Sequence, residues 1–365
     1  MVRLQKNVKG FDSFLKCQTE YTKDDIKKMA ALGEDNYGSQ NSISDVGFLE
    51  WQLLENPTGK GLVSLAVNGE DGKLIGESMQ TPMKLRAFSE EVTATTFVNT
   101  LIRKESRSLA VFYTIHKTAL DLASGHAFAY AVPNPNSYPL FGKLYDFKTI
   151  GDIPLLILPM RAKAIVKSRI GKGFSMIIPN IAYKGFGGKK HKNITVSKLS
   201  EDDFSEFDTF WNSVKDKYPI MGVRNAEYIN WRYLTAPLRD YTVFIAKDKD
   251  KIVGYTAVTT QLVEDIKNGM LVDFLVEHGR KDAAKALLRY TCDYFYQNNS
   301  ELIGTLMLPT CEEYKYIKKF GFLVCPKKFL PQPFSFIIKM LSGKNAEKTE
   351  DISNWFFTMG DYDAV

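Results

Sequence analysis

The chain has 365 residues, of which 44% are apolar and 25% are charged, and its formal net charge is +6. This length exceeds what a single hydrophobic core usually serves, so two domains are expected. The composition is that of a soluble globular protein, which excludes an extensively disordered chain. The mild positive charge suits a small anionic ligand. Because the basic residues are spread along the chain, nucleic acid is not the expected partner.

The cysteines and the N-terminus exclude further classes. The four cysteines show no CxxC spacing and the four histidines are scattered, so neither a zinc site nor a disulfide framework is indicated. The N-terminus lacks the apolar run of a signal peptide, and no apolar stretch approaches membrane-spanning length. We therefore expect a cytoplasmic protein without a bound metal.

The first predicted elements are a helix and a hairpin. Residues 22–32 predict a helix with Thr22 as its N-cap and Gly33 as its stop. Residues 61–67 and 73–76 flank the turn sequence Asn-Gly-Glu-Asp-Gly and predict a β-hairpin.

Residues 93–137 predict the element order that matters most for function. Residues 93–102 are rich in β-branched side chains and predict a strand, which a loop with three cations (103–107) follows. From Ser108 the apolar residues recur at three- and four-residue steps, which predicts an amphipathic helix ending near Gly125. A second strand (126–132) and a Pro-Asn turn (133–137) complete the stretch.

A helix that begins after a basic loop offers unpaired backbone N–H groups, a positive dipole end and Arg side chains to an anion. The small residues Ser108 and Ala110 allow a ligand to approach the backbone closely. The pattern therefore predicts a phosphate or pyrophosphate site, and its alternative is a solvated loop before a core helix.

Residues 102–112 resemble the acyl-CoA loop of the GNAT acetyltransferase superfamily, Val-x-Pro-x-x-Arg-x-x-Gly-x-Gly/Ala, with Arg107 at the Arg position and Ala110 at the first Gly. The resemblance implies that acetyl-CoA is a co-substrate, that its pyrophosphate meets the amides around residues 108–112, and that the strand ending near Ile102 pairs with the pantetheine arm. The cofactor-binding residues that it implies are Leu101, Ile102, Arg107, Ser108, Leu109, Ala110, Val111, Phe112, Asn134 and Ser137.

The second half of the chain repeats the first. Trp51 and Pro57 recur as Trp231 and Pro237 at an interval of 180 residues (231 − 51 and 237 − 57). Residues 241–254 predict another hairpin, residues 269–276 and 302–308 predict strands, and residues 280–290 begin a helix. Such self-similarity indicates a duplicated domain, in which we expect Trp51 and Trp231 to lie in equivalent places, each buried by its own domain.

The resemblance implies an α/β (α+β) fold of two tandem GNAT-like domains, each a mixed, mostly antiparallel, twisted sheet flanked by helices. The expected boundaries are residues 1–153 and 194–341 for the domains, 154–193 for the connection and 342–365 for a tail. Residues 154–170 are apolar with interspersed cations. They fit a helix in the domain interface better than a helix lying on an anionic membrane. Residues 185–192 are Gly-rich and basic and predict a linker or flap, and residues 202–214 predict an amphipathic helix.

The family often uses a Tyr to protonate the leaving thiolate, and here Phe141 and Ile317 stand at that position. Tyr138 is the near replacement in the first half, and Tyr314 or Tyr316 in the second. The second half lacks a Gly-bearing loop and offers only Arg280 and Ala283, so the first half is the better CoA site.

The tail ends in Trp-x-x-Thr-x-Gly-Asp-x-Asp, which is similar to the ending of tandem GNAT proteins linked to surface-sugar assembly. If it folds back, Asp361 or Asp363 can hold or deprotonate a substrate ammonium; the alternative is an inert tail.

These features favour an acyl-CoA-dependent N-acyltransferase that acetylates a small primary amine, such as an amino sugar of a surface polysaccharide. One alternative is a Fem-type aminoacyl transferase. Such a protein is expected to have a coiled-coil arm, and this sequence has no run of heptad repeats that would form one. The other is a non-catalytic scaffold that has lost CoA binding.

Overall fold

The computed structural model describes residues 15–161, 193–263 and 266–362, and every structural statement concerns these residues. They form two mixed, mostly antiparallel sheets flanked by helices. The strands are β1 (Leu15–Gln18), β2 (Leu62–Asn68), β3 (Leu74–Ala87), β4 (Glu90–Ile102), β5 (Phe128–Ala131), β6 (Lys148–Asp152), β7 (Leu155–Pro159), β8 (Ile194–Lys198), β9 (Ile220–Gly222), β10 (Thr242–Asp248), β11 (Lys251–Val263), β12 (Ile266–Val276), β13 (Leu302–Leu306), β14 (Leu323–Val324) and β15 (Ser335–Met340).

The helices alternate with these strands in both halves. They are α1 (Lys23–Tyr37), α2 (Val46–Leu54), α3 (Leu109–Leu122), α4 (Tyr138–Tyr145), α5 (Phe204–Val214), α6 (Ala226–Ile229), α7 (Lys281–Gln297), α8 (Glu312–Phe320) and α9 (Ala346–Thr349). Shorter helical turns cover Ser42–Ser44, Lys104–Ser106, Glu201–Asp203, Asn230–Leu234, Lys327–Phe329, Ile352–Asn354 and Met359–Asp361. Within the described ranges, no helix is both long and apolar enough to cross a membrane.

The two sheets exchange a strand. The first runs in the order β1-β2-β3-β4-β5-β15-β6, with β9 paired to β3, and the second in the order β14-β7-β13-β12-β11-β10-β8. Strand β15 thus joins the first sheet from far along the chain, and β7 joins the second sheet from the first half. The predicted boundary at residue 153 separates β6 of the first sheet from β7 of the second, whereas the predicted domain at 194–341 includes β9 and β15 of the first sheet.

The predicted interface helix at residues 154–170 is wrong at its start, because Leu155–Pro159 form β7. Its residues pair with β13 on one side and β14 on the other, so a continuous apolar run here marks a strand buried within a sheet. Residues 162–170 of that prediction and the Gly-rich linker at 185–192 lie outside the described residues.

The elements predicted between residues 93 and 137 are confirmed. Strand β4 ends at Ile102, and α3 begins after Ser108, whose hydroxyl accepts the N–H of Val111 as an N-cap. The second strand, β5, is shorter than predicted. The helix at 202–214 is confirmed as α5, preceded by one helical turn.

The predicted end of the first helix at Gly33 is wrong. Thr22 is the N-cap as expected, but α1 continues through Gly33 to Tyr37 and ends at Gly38, whose φ is 84°. Gly33 is needed for packing, because a Cβ built on it would lie 2.5 Å from the carbonyl oxygen of Ile43. This glycine permits a close backbone approach within the helix and does not end it.

The duplication is visible in equivalent contacts. A Cβ on Gly76 would lie 2.8 Å from Leu101 O, and a Cβ on Gly254 would lie 3.1 Å from Leu275 O, so both glycines let adjacent strands approach. Trp51 and Trp231 are 3% and 7% exposed, as predicted. They bury each other, however: their rings stack at 4.9 Å, and each indole N–H donates to the other's carbonyl, at 3.0 Å and 3.3 Å. The Trp pair therefore joins the two halves.

Each sheet contains one parallel strand pair that diverges. Strands β4 and β5 are paired only at Thr95 with Ala129 and Thr96 with Tyr130, although β4 continues to Ile102. Strands β12 and β13 are paired from Asn268 to Met270, and β12 continues to Val276. Both halves thus contain a V-shaped opening between two parallel strands, called below the first and second splay.

Candidate functional site

A cleft of about 1510 Å³ lies at the first splay. It exceeds the roughly 300–1,000 Å³ of a usual small-ligand pocket, so it has room for two substrates. Both halves of the chain line it. The lining residues are 36–37, 39–43, 45, 48, 97–102, 107–109, 112, 131–134, 136–137, 140–141, 238–240, 259–262, 332 and 362.

The open edge of β4 forms one wall of the cleft. Strand β4 pairs with β3 along its whole length, but beyond Thr96 it has no partner on its β5 side among the described strands. Residues 97–102 therefore turn backbone N–H and C=O groups toward the cleft, where an extended ligand can bond them as a further strand does. Leu101 and Ile102, predicted to contact the pantetheine arm, lie here.

The N-terminus of α3 forms the adjoining wall. Ser108 caps the amide of Val111, and in the described part of the chain the amides of Leu109 and Ala110 have no hydrogen-bond acceptor. No acidic residue lies in the first turn of α3. Two unpaired N–H groups at the positive end of a 14-residue helix form a site for an anion.

The predicted cation of this loop, Arg107, is exposed and lines the cleft. Its Nη2 donates to Asn36 Oδ1 at 2.8 Å, and its Nε donates to Ile102 O at 3.3 Å, so the guanidinium is held beside the amides of α3. Arg103, by contrast, pairs with Asp35 and donates to Leu74 O. Arg107 is therefore the loop cation placed to meet a phosphate.

The other predicted cofactor-binding residues divide between the cleft and the core. Leu109, Phe112, Asn134 and Ser137 line the cleft. The Val111 side chain is 1% exposed and packs against Ala66 of β2, so only its backbone is available to a ligand. Ala110 is half-buried and is not part of the lining, and it contributes its unpaired amide.

Asn134 has a local structural role. Its Oδ1 accepts the amides of Asn136 and Ser137 at 2.9 Å and 3.0 Å, which forms an Asx turn at the start of α4. The turn fixes the backbone of residues 134–137, three of which line the cleft.

His116 supports the floor of the cleft from beneath. Its Nδ1 lies 3.0 Å from Phe112 O and its Nε2 lies 3.1 Å from Thr100 Oγ1, so the proton is assigned to Nδ1 and the threonine hydroxyl donates to Nε2. Burial lowers the pKa of His116 to about 4, so the ring is neutral at physiological pH. It stacks with Phe97 and Phe112, which both line the cleft.

The structure does not bring the predicted acid Tyr138 to the cleft. Its hydroxyl bonds Thr149 Oγ1 at 2.8 Å, on the side of α4 that faces β6, because the helix turns its apolar residue Phe141 toward the splay. In the second half, Tyr316 donates to Glu312, and Tyr314 is half-buried outside the cleft lining.

The second splay carries no comparable anion site. The amide of Gly279 donates to the Glu312 carboxylate at 3.3 Å, and the amides of Arg280 and Lys281 donate to backbone carbonyls. Arg280 bonds Asp248 and Asp282. Asp282 stands at the second helical position of α7, where α3 has Ala110. The chain's own carboxylates thus already neutralise this helix N-terminus.

The C-terminal segment (355–361) fills the second splay. All of its residues are buried; Thr358 forms a β-bridge with Met307, and the amide of Leu308 donates to Phe357 O at 3.4 Å. Tyr362, which follows, lines the cleft at the first splay. The tail therefore folds back onto the protein, which is the first of the two alternatives that its sequence left open.

Asp361 is engaged in this segment by the protein itself. Arg224 donates to Asp361 Oδ2 at 2.6 Å and to Asp273 Oδ2 at 2.9 Å, and Thr358 Oγ1 donates to Asp273 Oδ1 at 2.9 Å. Burial raises the pKa of Asp361, although the Arg224 charge opposes this. Asp361 lines no part of the cleft, so its predicted contact with a substrate ammonium is replaced by a contact with Arg224. Asp363 lies outside the described residues.

Two polar side chains near the cleft were not predicted from the sequence. Glu77 on β3 is 1% exposed, and its Oε2 has no hydrogen-bond partner. Asn99 on β4 lines the cleft, and its buried Nδ2 also has none. Each buried polar atom left without a partner costs about 1–3 kcal/mol, and only the alternation within β3 and β4 could have shown that these two side chains share a sheet face.

Glu77 is expected to make the protein less stable as pH rises above neutrality. Burial raises its pKa from 4.5 to about 8, so between these values the folded protein keeps a proton that the unfolded chain has lost. The free energy of unfolding then falls with pH by about 1.4 kcal/mol per unit. His116 has the opposite effect, but only below its ordinary pKa of 6.5.

Urea unfolding of the wild type and Glu77→Gln between pH 6.5 and 8 isolates this effect. We expect the wild type to lose stability relative to the variant across that window. Parallel stability curves would show that Glu77 is ionised in the folded protein.

Comparison with solved structures identifies the fold. The chain is similar to a probable N-acyltransferase of Enterococcus faecalis V583 (13% identity, 90% of this chain and 73% of that chain, TM-score 0.58). It is also similar to a GCN5-related N-acetyltransferase of Anabaena variabilis (11% identity, 90% and 73%, TM-score 0.60). A third similar structure is Saccharomyces cerevisiae N-myristoyltransferase with bound myristoyl-CoA (12% identity, 89% and 78%, TM-score 0.57).

No protein-family model and no curated protein sequence matches the chain. At identities of this size the structural likeness establishes the fold alone. The chain has the mixed α/β, GNAT-like fold of these proteins over nearly its whole length.

Proposed function

We propose that this protein is an acyl-CoA-dependent N-acyltransferase that uses its first half to bind the acyl donor. The observation that carries the proposal is the pair of unpaired amides at the start of α3, which lie at the open first splay beside Arg107. The similar structures include acyltransferases, one of them bound to myristoyl-CoA, which supports the same reaction class.

The acyl donor would be bound along two walls of the cleft. Its pyrophosphate would accept hydrogen bonds from the amides of Leu109 and Ala110 and from Arg107, since the helix dipole and the guanidinium both favour negative charge there. Its amide-containing arm would bond the open edge of β4 at residues 97–102. The C-terminal segment that fills the second splay supports the first splay as the donor site.

In the reaction, the amine nitrogen attacks the thioester carbonyl, the N–C bond forms, the C–S bond breaks, and the thiolate receives a proton. The protein's contribution is to hold the two substrates side by side and to supply donors where negative charge develops. The acceptor would enter on the side lined by the second half, at residues 238–240 and 259–262. We propose acetyl-CoA as the donor and an amino sugar of a surface polysaccharide as the acceptor.

Acetyl-CoA is expected to raise the melting temperature of the protein. Ligand at 100 times its dissociation constant adds about 2.7 kcal/mol to the free energy of unfolding, which differential scanning fluorimetry detects as a clear shift. Adenosine, which lacks the pyrophosphate, is the control and should give little shift.

The same titration separates the enzyme from the scaffold alternative. A protein that has lost CoA binding would show no shift with acetyl-, propionyl- or succinyl-CoA. A shift with a longer acyl chain alone would retain the reaction class and replace acetyl-CoA as the donor.

A further inference from the structure

Glu77 and Asn99 lie on one face of the first sheet as diagonal neighbours. The β3 and β4 register places Glu77 opposite Leu101 and Asn99 opposite Met79, immediately before a β-bulge. Residues opposite one another in an antiparallel pair share a face, as do residues two apart in one strand. Glu77 Oε2 and Asn99 Nδ2, which lack hydrogen-bond partners, therefore belong to neighbouring side chains.

The second half shows what a filled version of this arrangement contains. Tyr255 lies opposite Leu275, and Asp273 lies opposite Ala257, again immediately before a β-bulge. Tyr255 and Asp273 are thus the equivalents of Glu77 and Asn99. The Tyr255 hydroxyl donates to Asp273 Oδ2 at 2.6 Å, so side chains at these two diagonal positions reach each other.

In the second half, a cationic nitrogen contacts this pair. Arg224 Nε donates to Asp273 Oδ2 at 2.9 Å, and Thr358 of the C-terminal segment covers the other oxygen. In the first half, the equivalent residue, Asn99, lines the cleft. The place that the protein fills with its own guanidinium in one half is open to a ligand in the other.

We propose that Glu77 and Asn99 form the binding site for the ammonium group of the acyl acceptor, and that Glu77 takes its proton. This inference rests on the proposed function. Asn99 is half-buried and lines the cleft, and its carboxamide oxygen would accept an ammonium N–H. Glu77 lies behind the lining and receives the proton through one intervening water.

The two carboxylates in the lining itself, Asp45 and Asp240, are less suited to this role. Asp45 Oδ1 accepts the amide of Phe48 at 2.7 Å as the N-cap of α2, which commits it to the fold. Asp240 is exposed, so water competes for an ammonium there. Burial and the raised pKa of Glu77 bring its proton affinity closer to that of an amine.

The proposed step is balanced. Ammonium binding first displaces the Glu77 proton to solvent, because the buried carboxyl is protonated in the free protein at neutral pH. The ammonium then passes one proton through water to the Glu77 carboxylate, which leaves a neutral amine and a carboxylic acid. The amine lone pair then forms the N–C bond, the C–S electron pair leaves with sulfur, and the second amine proton goes to the thiolate. Glu77 afterwards returns its proton to solvent.

The test is a carboxyl-carbon NMR titration of the glutamate-labelled protein with methylammonium chloride at pH 7. The Glu77 signal is the one that Glu77→Gln removes. We expect methylammonium to move this signal toward that of an ionised carboxylate, and tetramethylammonium chloride, which has no N–H, to leave it in place. A signal that responds to neither salt, or equally to both, would overturn the inference.

Three variants sharpen the test. Asn99→Leu should weaken the methylammonium response at least tenfold, and Asn99→Asp, which keeps an acceptor, should bind at least as tightly as the wild type. Glu70→Gln, the same change in an exposed turn, should behave as the wild type. An unchanged response in a folded Asn99→Leu variant would contradict the assignment of Asn99.

This titration needs no acyl-CoA, so its failure is distinguishable from failure of the proposed function. Acetyl-CoA binding with no methylammonium response would retain the acyltransferase and remove Glu77 from it. A methylammonium response without acyl-CoA binding would leave an ammonium site and overturn the acyltransferase.

Discussion

Replacing Arg224 with Met is expected to lower the free energy of unfolding by about 3–5 kcal/mol, the usual cost of removing one partner from a buried ion pair. Arg224 is 1% exposed and bonds both Asp273 and Asp361, so its loss leaves two buried carboxylates without their cation. Urea unfolding followed by tryptophan fluorescence measures the loss.

Lys148→Met is the matched control. Lys148 also holds the C-terminal region, through Glu350 at 2.7 Å, but its side chain is 65% exposed. Exposed pairs contribute about 0–1 kcal/mol, so this variant should stay close to the wild type. Equal stability of the two variants would show that the Arg224 network does not hold the C-terminal segment in the second splay.

Ala110→Asp is expected to weaken acyl-CoA binding severely while leaving the fold intact. A carboxylate at the second position of α3 competes with the pyrophosphate for the unpaired amides and repels it. Loss of one charge-assisted hydrogen bond costs about 1.5–3 kcal/mol, or roughly 10–150-fold in dissociation constant. Because an acidic residue in the first turn favours a helix, the variant should be no less stable than the wild type.

Arg107→Glu should show a loss of similar size, since it replaces a phosphate-binding cation with a repelling carboxylate. Asp282→Ala is the control, because Asp282 stands at the same helical position of α7. Isothermal titration calorimetry should show acetyl-CoA affinity within about threefold of the wild type, as for a distant surface change. A gain of affinity in the Asp282 variant, together with no loss in Arg107→Glu, would move the donor site to the second half.

The elements around the first splay could be predicted because local rules determine them. The β-branched run of β4, the Ser108 N-cap and the apolar spacing of α3 each act over a few residues. Gly33 shows where local rules fail: the same residue type ends helices elsewhere, but here it makes room for Ile43 O from the following turn.

The strand exchange and the filled second splay could not be predicted, because they join residues far apart in the chain. Nothing near residues 155–159 indicates that they pair with β13, and nothing near residue 361 indicates Arg224 as its partner. Glu77 was missed for a related reason. Glu77 stands out because it is buried, because its Oε2 has no hydrogen-bond partner and because Tyr255 occupies the equivalent place in the second half. All three facts are visible only in the folded sheets.

The most direct test of the account is a crystal structure of the protein with acetyl-CoA. We predict pyrophosphate oxygens within hydrogen-bond distance of the Leu109 and Ala110 amides and of Arg107, with the pantetheine arm along residues 97–102 and the C-terminal segment still in the second splay. Acetyl-CoA bound at Gly279 and Arg280, with the C-terminal segment displaced from Met307, would contradict the assignment of the donor site to the first half.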